Sequence, residues 1–175
     1  MGGLVRHNSV AEQPELSGAG RLRSLAFDHS GDLLAASGGD GTVCLWRGTT
    51  GEHVSRFANP SGWARAVALD SPGKRLAIGG GNGEIHIRSV SDDRFTAHLP
   101  GHTGRVLMAA FLDAPDSLVS AAADGTVCLW SLSEQRQLAE VPVDASLHCA
   151  AFDRATGHVV VGSAAGTVAL SVRPR

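Results

Sequence analysis

The residues of this chain that could do chemistry are eight histidines, three cysteines, a few close carboxylates and two glycine-rich runs. His98 and His102 have the i, i+4 spacing that lets two imidazoles on one helix face share a metal ion, but Pro100-Gly101 between them breaks any helix. No metal site and no cofactor are therefore expected. Cys44, Cys128 and Cys149 are odd in number and contain no Cys-x-x-Cys pair, so neither a disulfide framework nor a zinc site is expected, and Cys44 and Cys128, at one repeat position in two units, read as small buried hydrophobes in a reducing compartment. Gly79-Gly80-Gly81-Asn82-Gly83 has a crude Gly-x-Gly spacing, yet no helix follows to point its amides at a phosphate, so it reads as a turn. Gly162-Ser163-Ala164-Ala165-Gly166 lacks the spacing of a nucleophile elbow. Asp28-His29 has no nucleophile in range, and Asp92-Asp93 and Asp113/Asp116 fall in turn segments, where carboxylates accept from nearby amides. No catalytic residue is predicted, and the chain is expected not to be an enzyme.

The elements that hold these side chains come from a repeat. Asp-Gly-Thr-Val-Cys-Leu-Trp occurs unchanged at Asp40 to Trp46 and at Asp124 to Trp130, and weaker copies run from Asn82 to Arg88 and from Ala165 to Ser171. The turn glycines Gly41, Gly83, Gly125 and Gly166 are spaced by 42, 42 and 41 residues, a period of propellers and solenoids. Each unit offers short apolar runs bounded by Gly, Asp and Ser, the signature of strands and tight turns. The first has Leu22 to Phe27, Leu33 to Ser37, Thr42 to Trp46 and His53 to Phe57. The fourth stops after Thr167 to Val172, so its fourth strand is missing. Nothing has a sustained helical period. The expected fold is all-β, four small antiparallel sheets arranged as propeller blades. Units are placed at 18–59, 60–101, 102–142 and 143–175, the last incomplete, after an N-terminal segment 1–17 in which Val10 to Leu16 reads as one displaced strand.

The third unit closely resembles the WD40 repeat family: Gly101-His102-Thr103-Gly104 opens it, Ser120 sits on its second strand, and Asp124 to Trp130 closes its third. The resemblance implies that His102, Ser120, Asp124 and Trp130 form a hydrogen-bonded structural network, with Asp40 and Trp46 keeping half of one in the first unit. Unit two has Pro60, Ile78, Asn82 and Arg88 at those positions, and unit four has Val143, Val161, Ala165 and Ser171. Units two and four are therefore expected to rely on strand pairing and apolar packing. Propellers of this family that close on themselves usually have seven or eight blades, so four blades imply an open arc or half of a larger ring. Three readings stay open: a homodimer forming an eight-blade ring, the C-terminal portion of a longer propeller protein, and a companion to another blade-bearing chain.

With 43% hydrophobic and 18% charged residues the chain is suited to a folded domain. A formal net charge of -2 disfavours nucleic acid as a partner. The longest apolar runs are too short to span a membrane, and no apolar run with a cleavage site opens the chain, which together predict a cytoplasmic protein. Fourteen arginines against the single Lys74 point to a GC-rich bacterial source. Basic residues gather where each unit enters its first strand: Arg21 and Arg23, then Trp63 and Arg65, then Arg105, with His148 in the fourth unit. The resemblance places these positions near the channel mouth on one propeller face, which implies a protein-binding surface for an acidic protein or peptide. The reading is a non-catalytic protein-interaction scaffold. Its rivals are a C-terminal sensor or structural segment of a larger multidomain signalling protein, and an enzyme with its site at the channel mouth.

Overall fold

A computed structural model describes residues 21–114, 116–143 and 145–172. The strand expected at Val10 to Leu16 lies outside the described residues. Fifteen strands and no helix are formed among those described. β1 (Leu22–Phe27), β2 (Leu33–Gly38), β3 (Thr42–Arg47) and β4 (His53–Ala58) make the first blade. β5 (Ala64–Leu69), β6 (Arg75–Gly80), β7 (Ile85–Ser89) and β8 (Phe95–Leu99) make the second, and β9 (Val106–Phe111), β10 (Ser117–Ala122), β11 (Thr126–Ser131) and β12 (Arg136–Pro142) the third. The fourth has three strands, β13 (Leu147–Asp153), β14 (His158–Ser163) and β15 (Gly166–Ser171). Every pairing is antiparallel and joins neighbours in sequence, as in an up-and-down meander. This is a four-bladed β-propeller arrangement.

The inner strands β1, β5, β9 and β13 follow one another side by side and line a common cleft of about 390 Å³. Alternation along each strand sends successive side chains to opposite neighbours. In blade 2, Val67, Leu69, Leu76 and Ile78 pack with Leu33, Ala35, Val43 and Leu45 of blade 1. Ala66, Ala77, Ile85 and Ile87 instead join Phe111, Leu118, Cys128 and Trp130 of blade 3. A third cluster joins Val119, Ala121 and Val127 to Leu147, Val159 and Val161 of blade 4. Each blade thus buries both faces only where it has two neighbours. The two end blades expose large apolar side chains at Leu22, Leu25 and Phe27 on β1 and at Val160 and Val168 in blade 4, while the middle blades expose Trp63, Phe95, Leu138 and Val141 at their entrance and outer strands.

The repeated glycine also locks blade to blade. Gly41 adopts φ +83, and a Cβ added there would lie 2.5 Å from the Gly62 carbonyl oxygen at the entrance to blade 2. Gly83 adopts φ +91, and its Cβ would lie 2.1 Å from the carbonyl oxygen of His102 at the entrance to blade 3. Only glycine satisfies both the left-handed turn and the close approach.

Candidate interaction face

The residues entering each inner strand are positioned by one recurring hydrogen bond. The Gly39 amide donates to the Arg21 carbonyl at 2.8 Å, the Gly81 amide to that of Trp63 at 2.9 Å, and the Ala123 amide to that of Arg105 at 2.9 Å. Arg21, Trp63 and Arg105 therefore occupy the same place in three blades. One step further in, Arg23 and Arg65 line a cleft of about 270 Å³ with Leu107, His148 and Cys149. The Arg65 guanidinium stacks over the Trp63 indole, 5.4 Å from the ring centroid, while Trp63 remains 60% exposed. Cation–π contact of this kind holds the arginine on a large apolar plate.

Partial burial weakens the hold of Arg65 on its proton, and the like charges of Arg23 and Arg105 add to that. Among the described residues, no carboxylate forms an ion pair with Arg21, Arg23, Arg65 or Arg105. The structure thus brings Arg23 and Arg105 each within electrostatic reach of Arg65 and sets His148 in one cleft with Arg23 and Arg65, with Arg21 exposed. Chemically, such a patch can take an anionic group and an adjacent flat or apolar one.

A second constellation lies inside blade 3. Trp130 Nε1 donates to Ser120 Oγ at 2.8 Å, and Ser120 Oγ lies 2.7 Å from His102 Nε2. His102 Nδ1 lies 3.1 Å from Asp124 Oδ2, which also accepts from the Thr103 amide at 2.8 Å. Burial lowers the basicity of His102, although Asp124 opposes the shift, so the imidazole is neutral at pH 7 and its contact with Asp124 is a hydrogen bond. A carboxylate only accepts, so the proton sits on Nδ1 and Nε2 receives the Ser120 hydroxyl. The chain of donation runs Trp130, Ser120, His102, Asp124 with every member satisfied. Burial would raise the Asp124 carboxyl, but the Thr126 hydroxyl, His102 and the Thr103 and Thr126 amides bring it below its ordinary value. In blade 1, Asp40 Oδ1 accepts from the Thr42 amide at 2.9 Å, and Trp46 meets His53 edge-on at 6.2 Å.

Blade 2 is held by more than strand pairing and apolar packing. Arg88, where blade 3 has Trp130, is buried between the rings of Phe57, at 4.1 Å, and Phe95, at 4.9 Å, and donates from Nε to Asp93 at 2.8 Å. Sequence reasoning missed a further cluster. His98 does not meet His102 but faces Glu84, with its Nε2 3.4 Å from Oε1. His86 Nε2 lies 3.5 Å from the other oxygen of Glu84, and Ser61 bonds to both Glu84 and His86. The signal was present as Glu84-x-His86 with a third ligand type one hairpin away. It becomes readable only with the strand register.

A family profile described as WD domain, G-beta repeat matches residues 12–47 and 93–131. The chain is also similar to the Set1 complex component swd2 of Schizosaccharomyces pombe, 29% identical over 115 residues, which covers 65% of this chain and 32% of that protein. The matched stretch thus spans about a third of the length of that curated relative. Among the described residues, no helix is long and apolar enough to cross a membrane.

Proposed function

We propose that this chain is a non-catalytic protein-interaction scaffold whose binding surface is the basic mouth formed by Arg21, Arg23, Trp63, Arg65, Arg105 and His148. The observation that carries the reading is Arg65 held within reach of two further like charges, Arg23 and Arg105, with no carboxylate ion-paired to any of the three among the described residues. Like charges gathered at a cost in self-repulsion are accounted for by an anionic ligand that relieves it. Arg and Trp are the side chains most enriched at interface hot spots, and Trp63 and Arg65 are stacked as a ready anchor. The partner is an acidic protein segment or peptide. Similarity to a protein named as a component of a complex supports an assembly role. A bacterial, cytoplasmic setting belongs to the same reading and rests on the arginine-to-lysine bias and the lack of long apolar runs in the sequence.

The test is a double substitution, Arg23→Ala with Arg65→Ala, assayed against a panel of acidic and neutral peptides. Affinity for acidic peptides falls by about 10-fold or more while neutral peptides are unaffected. Unchanged affinity would sink the proposal.

A second reading concerns assembly. Exposed Leu25 and Phe27 at one end of the arc and Val160 and Val168 at the other favour contact with further blades, either of a second copy or of a longer protein that includes this segment. A solution mass of about 36 kDa, twice the 18.0 kDa chain, marks the eight-blade pair, and a stable monomer removes it.

A further inference from the structure

The polar cluster of blade 2 has no counterpart in blade 3. A shift of 42 residues puts Pro60, Ile78 and Asn82 at the places of His102, Ser120 and Asp124, so the blade 3 network cannot form there. Three other polar side chains converge instead. Glu84 and His86 are two residues apart along one strand direction and share a sheet face, and His86 is directly opposite His98 across the β7–β8 ladder. The two imidazole rings lie parallel within 10°, with centroids 4.7 Å apart. Both present Nε2 toward Glu84, at 3.5 Å from Oε2 for His86 and 3.4 Å from Oε1 for His98. The three ligand atoms all lie within 4.8 Å of one another.

We propose that Glu84, His86 and His98 form a binding site for a borderline divalent metal ion, zinc above all. Ligand atoms on a tetrahedron with zinc bonds of about 2.0–2.1 Å are separated by about 3.3–3.4 Å. The Nε2 atoms of His86 and His98 already stand at about that distance from a carboxylate oxygen of Glu84, His86 from Oε2 and His98 from Oε1. Rotation of the Glu84 carboxylate and of the half-exposed His98 ring brings one oxygen and both nitrogens onto a single ion. Two imidazoles and a carboxylate are the donors of zinc and its neighbours in the first transition row, whereas calcium and magnesium take oxygen sets. Glu84 is a carboxylate at any physiological pH, because hydrogen bonds from Ser61 and Asn82 hold it down to about 2. Burial keeps His86 below the ordinary histidine value, helped by His98 and opposed by Glu84, so it is neutral as a ligand must be.

Ser61, from the loop before β5, sits over the cluster and donates its hydroxyl proton to Glu84. Its oxygen lies 2.6 Å from His86 Nε2, so that nitrogen carries the ring proton in the metal-free state. Metal insertion at Nε2 requires the neutral imidazole to carry its one ring proton on Nδ1 instead, and leaves Ser61 beside an open fourth position that water can fill. The ion would cross-link β8 to β7 and the turn before it, with Ser61 of the entrance loop beside it.

The experiment uses the full chain without an affinity tag, stripped with a chelator and titrated with Zn2+ by calorimetry, with thermal unfolding in parallel. One zinc per chain binds and raises Tm, because an ion that binds only the folded state stabilises it. Co2+ in its place gives the visible bands of a tetrahedral site. His98→Ala, at a half-exposed position that leaves the fold intact, and Glu84→Gln each weaken zinc binding by about 10- to 100-fold and remove the Tm shift. His29→Ala, at an exposed histidine in the β1–β2 turn, changes neither. Equal zinc binding by the parent chain and His98→Ala, or no uptake by the parent chain, overturns the proposal and leaves the cluster as a hydrogen-bonded brace.

Discussion

Gly83 stands so close to His102 that a Cβ on the glycine would lie 2.1 Å from the histidine's carbonyl oxygen. The turn of one blade is thereby pressed onto the entrance loop of the next. The same histidine begins the hydrogen-bonded chain through Ser120 to Trp130, so blade-to-blade docking and the internal brace of blade 3 share one residue.

Gly83→Ala should therefore cost more than an ordinary left-handed alanine. The strained φ alone is worth about 1–3 kcal/mol, and the backbone clash adds to it. Gly62→Ala is the control, since its φ is +76 but nothing lies within 4 Å of the added Cβ. Denaturant unfolding should show at least about 1 kcal/mol more destabilisation at Gly83 than at Gly62.

Ser120→Ala leaves an acceptor on His102 and a donor on Trp130 unpaired in a buried site. Each orphaned group costs about 1–3 kcal/mol, so the variant should lose roughly 2–6 kcal/mol by denaturant unfolding. Replacing Ser133, whose hydroxyl bonds to Asp116 at an exposed site, should cost less than about 1 kcal/mol.

Stability should fall as the solution is acidified below about pH 6.5, the ordinary histidine value. His102 and His86 both sit below that value in the folded chain, mainly through burial, so the unfolded chain takes up protons there that the folded one refuses. His102→Asn should flatten this limb of a Tm-against-pH curve. A second decline follows in the carboxylate range, because Glu84 and Asp124 stay ionised in the fold to lower pH than in the unfolded chain.

Thiol labelling of the native chain should modify Cys149 and spare Cys44 and Cys128. Cys149 is exposed, whereas the other two are buried. Burial pushes the Cys128 thiol up to about 11, far from the reactive thiolate. Rapid modification of all three without denaturant would contradict this packing.

Arg23→Gln should leave stability unchanged or raise it by up to about 0.5 kcal/mol, because it removes repulsion from the half-buried Arg65. A clear loss of stability would mean that Arg23 serves the fold rather than a partner.

Much of this architecture is written locally. The glycine spacing and the short apolar runs between turns determine an all-β chain of four antiparallel blades, the last of them three-stranded among the described residues, because turn chemistry and strand alternation act over a few residues. Repetition also singles out Asp124 and Trp130 before any fold is known. The sites are another matter. His98 and His102 are neighbours in sequence, yet one faces Glu84 on an open sheet face and the other is buried against Ser120. Their separation depends on the β7–β8 register and on the chain's passage from blade 2 to blade 3. Arg23, Arg65 and Arg105 are about one repeat apart, and the like charges of Arg23 and Arg105 reach Arg65 only when β1, β5 and β9 stand side by side. The sequence by itself determined which strands and turns form, since those follow from local backbone preference and side-chain period. Which charges meet, and which histidines share a carboxylate, only the tertiary structure decided, because these depend on register and blade packing between residues far apart in the chain.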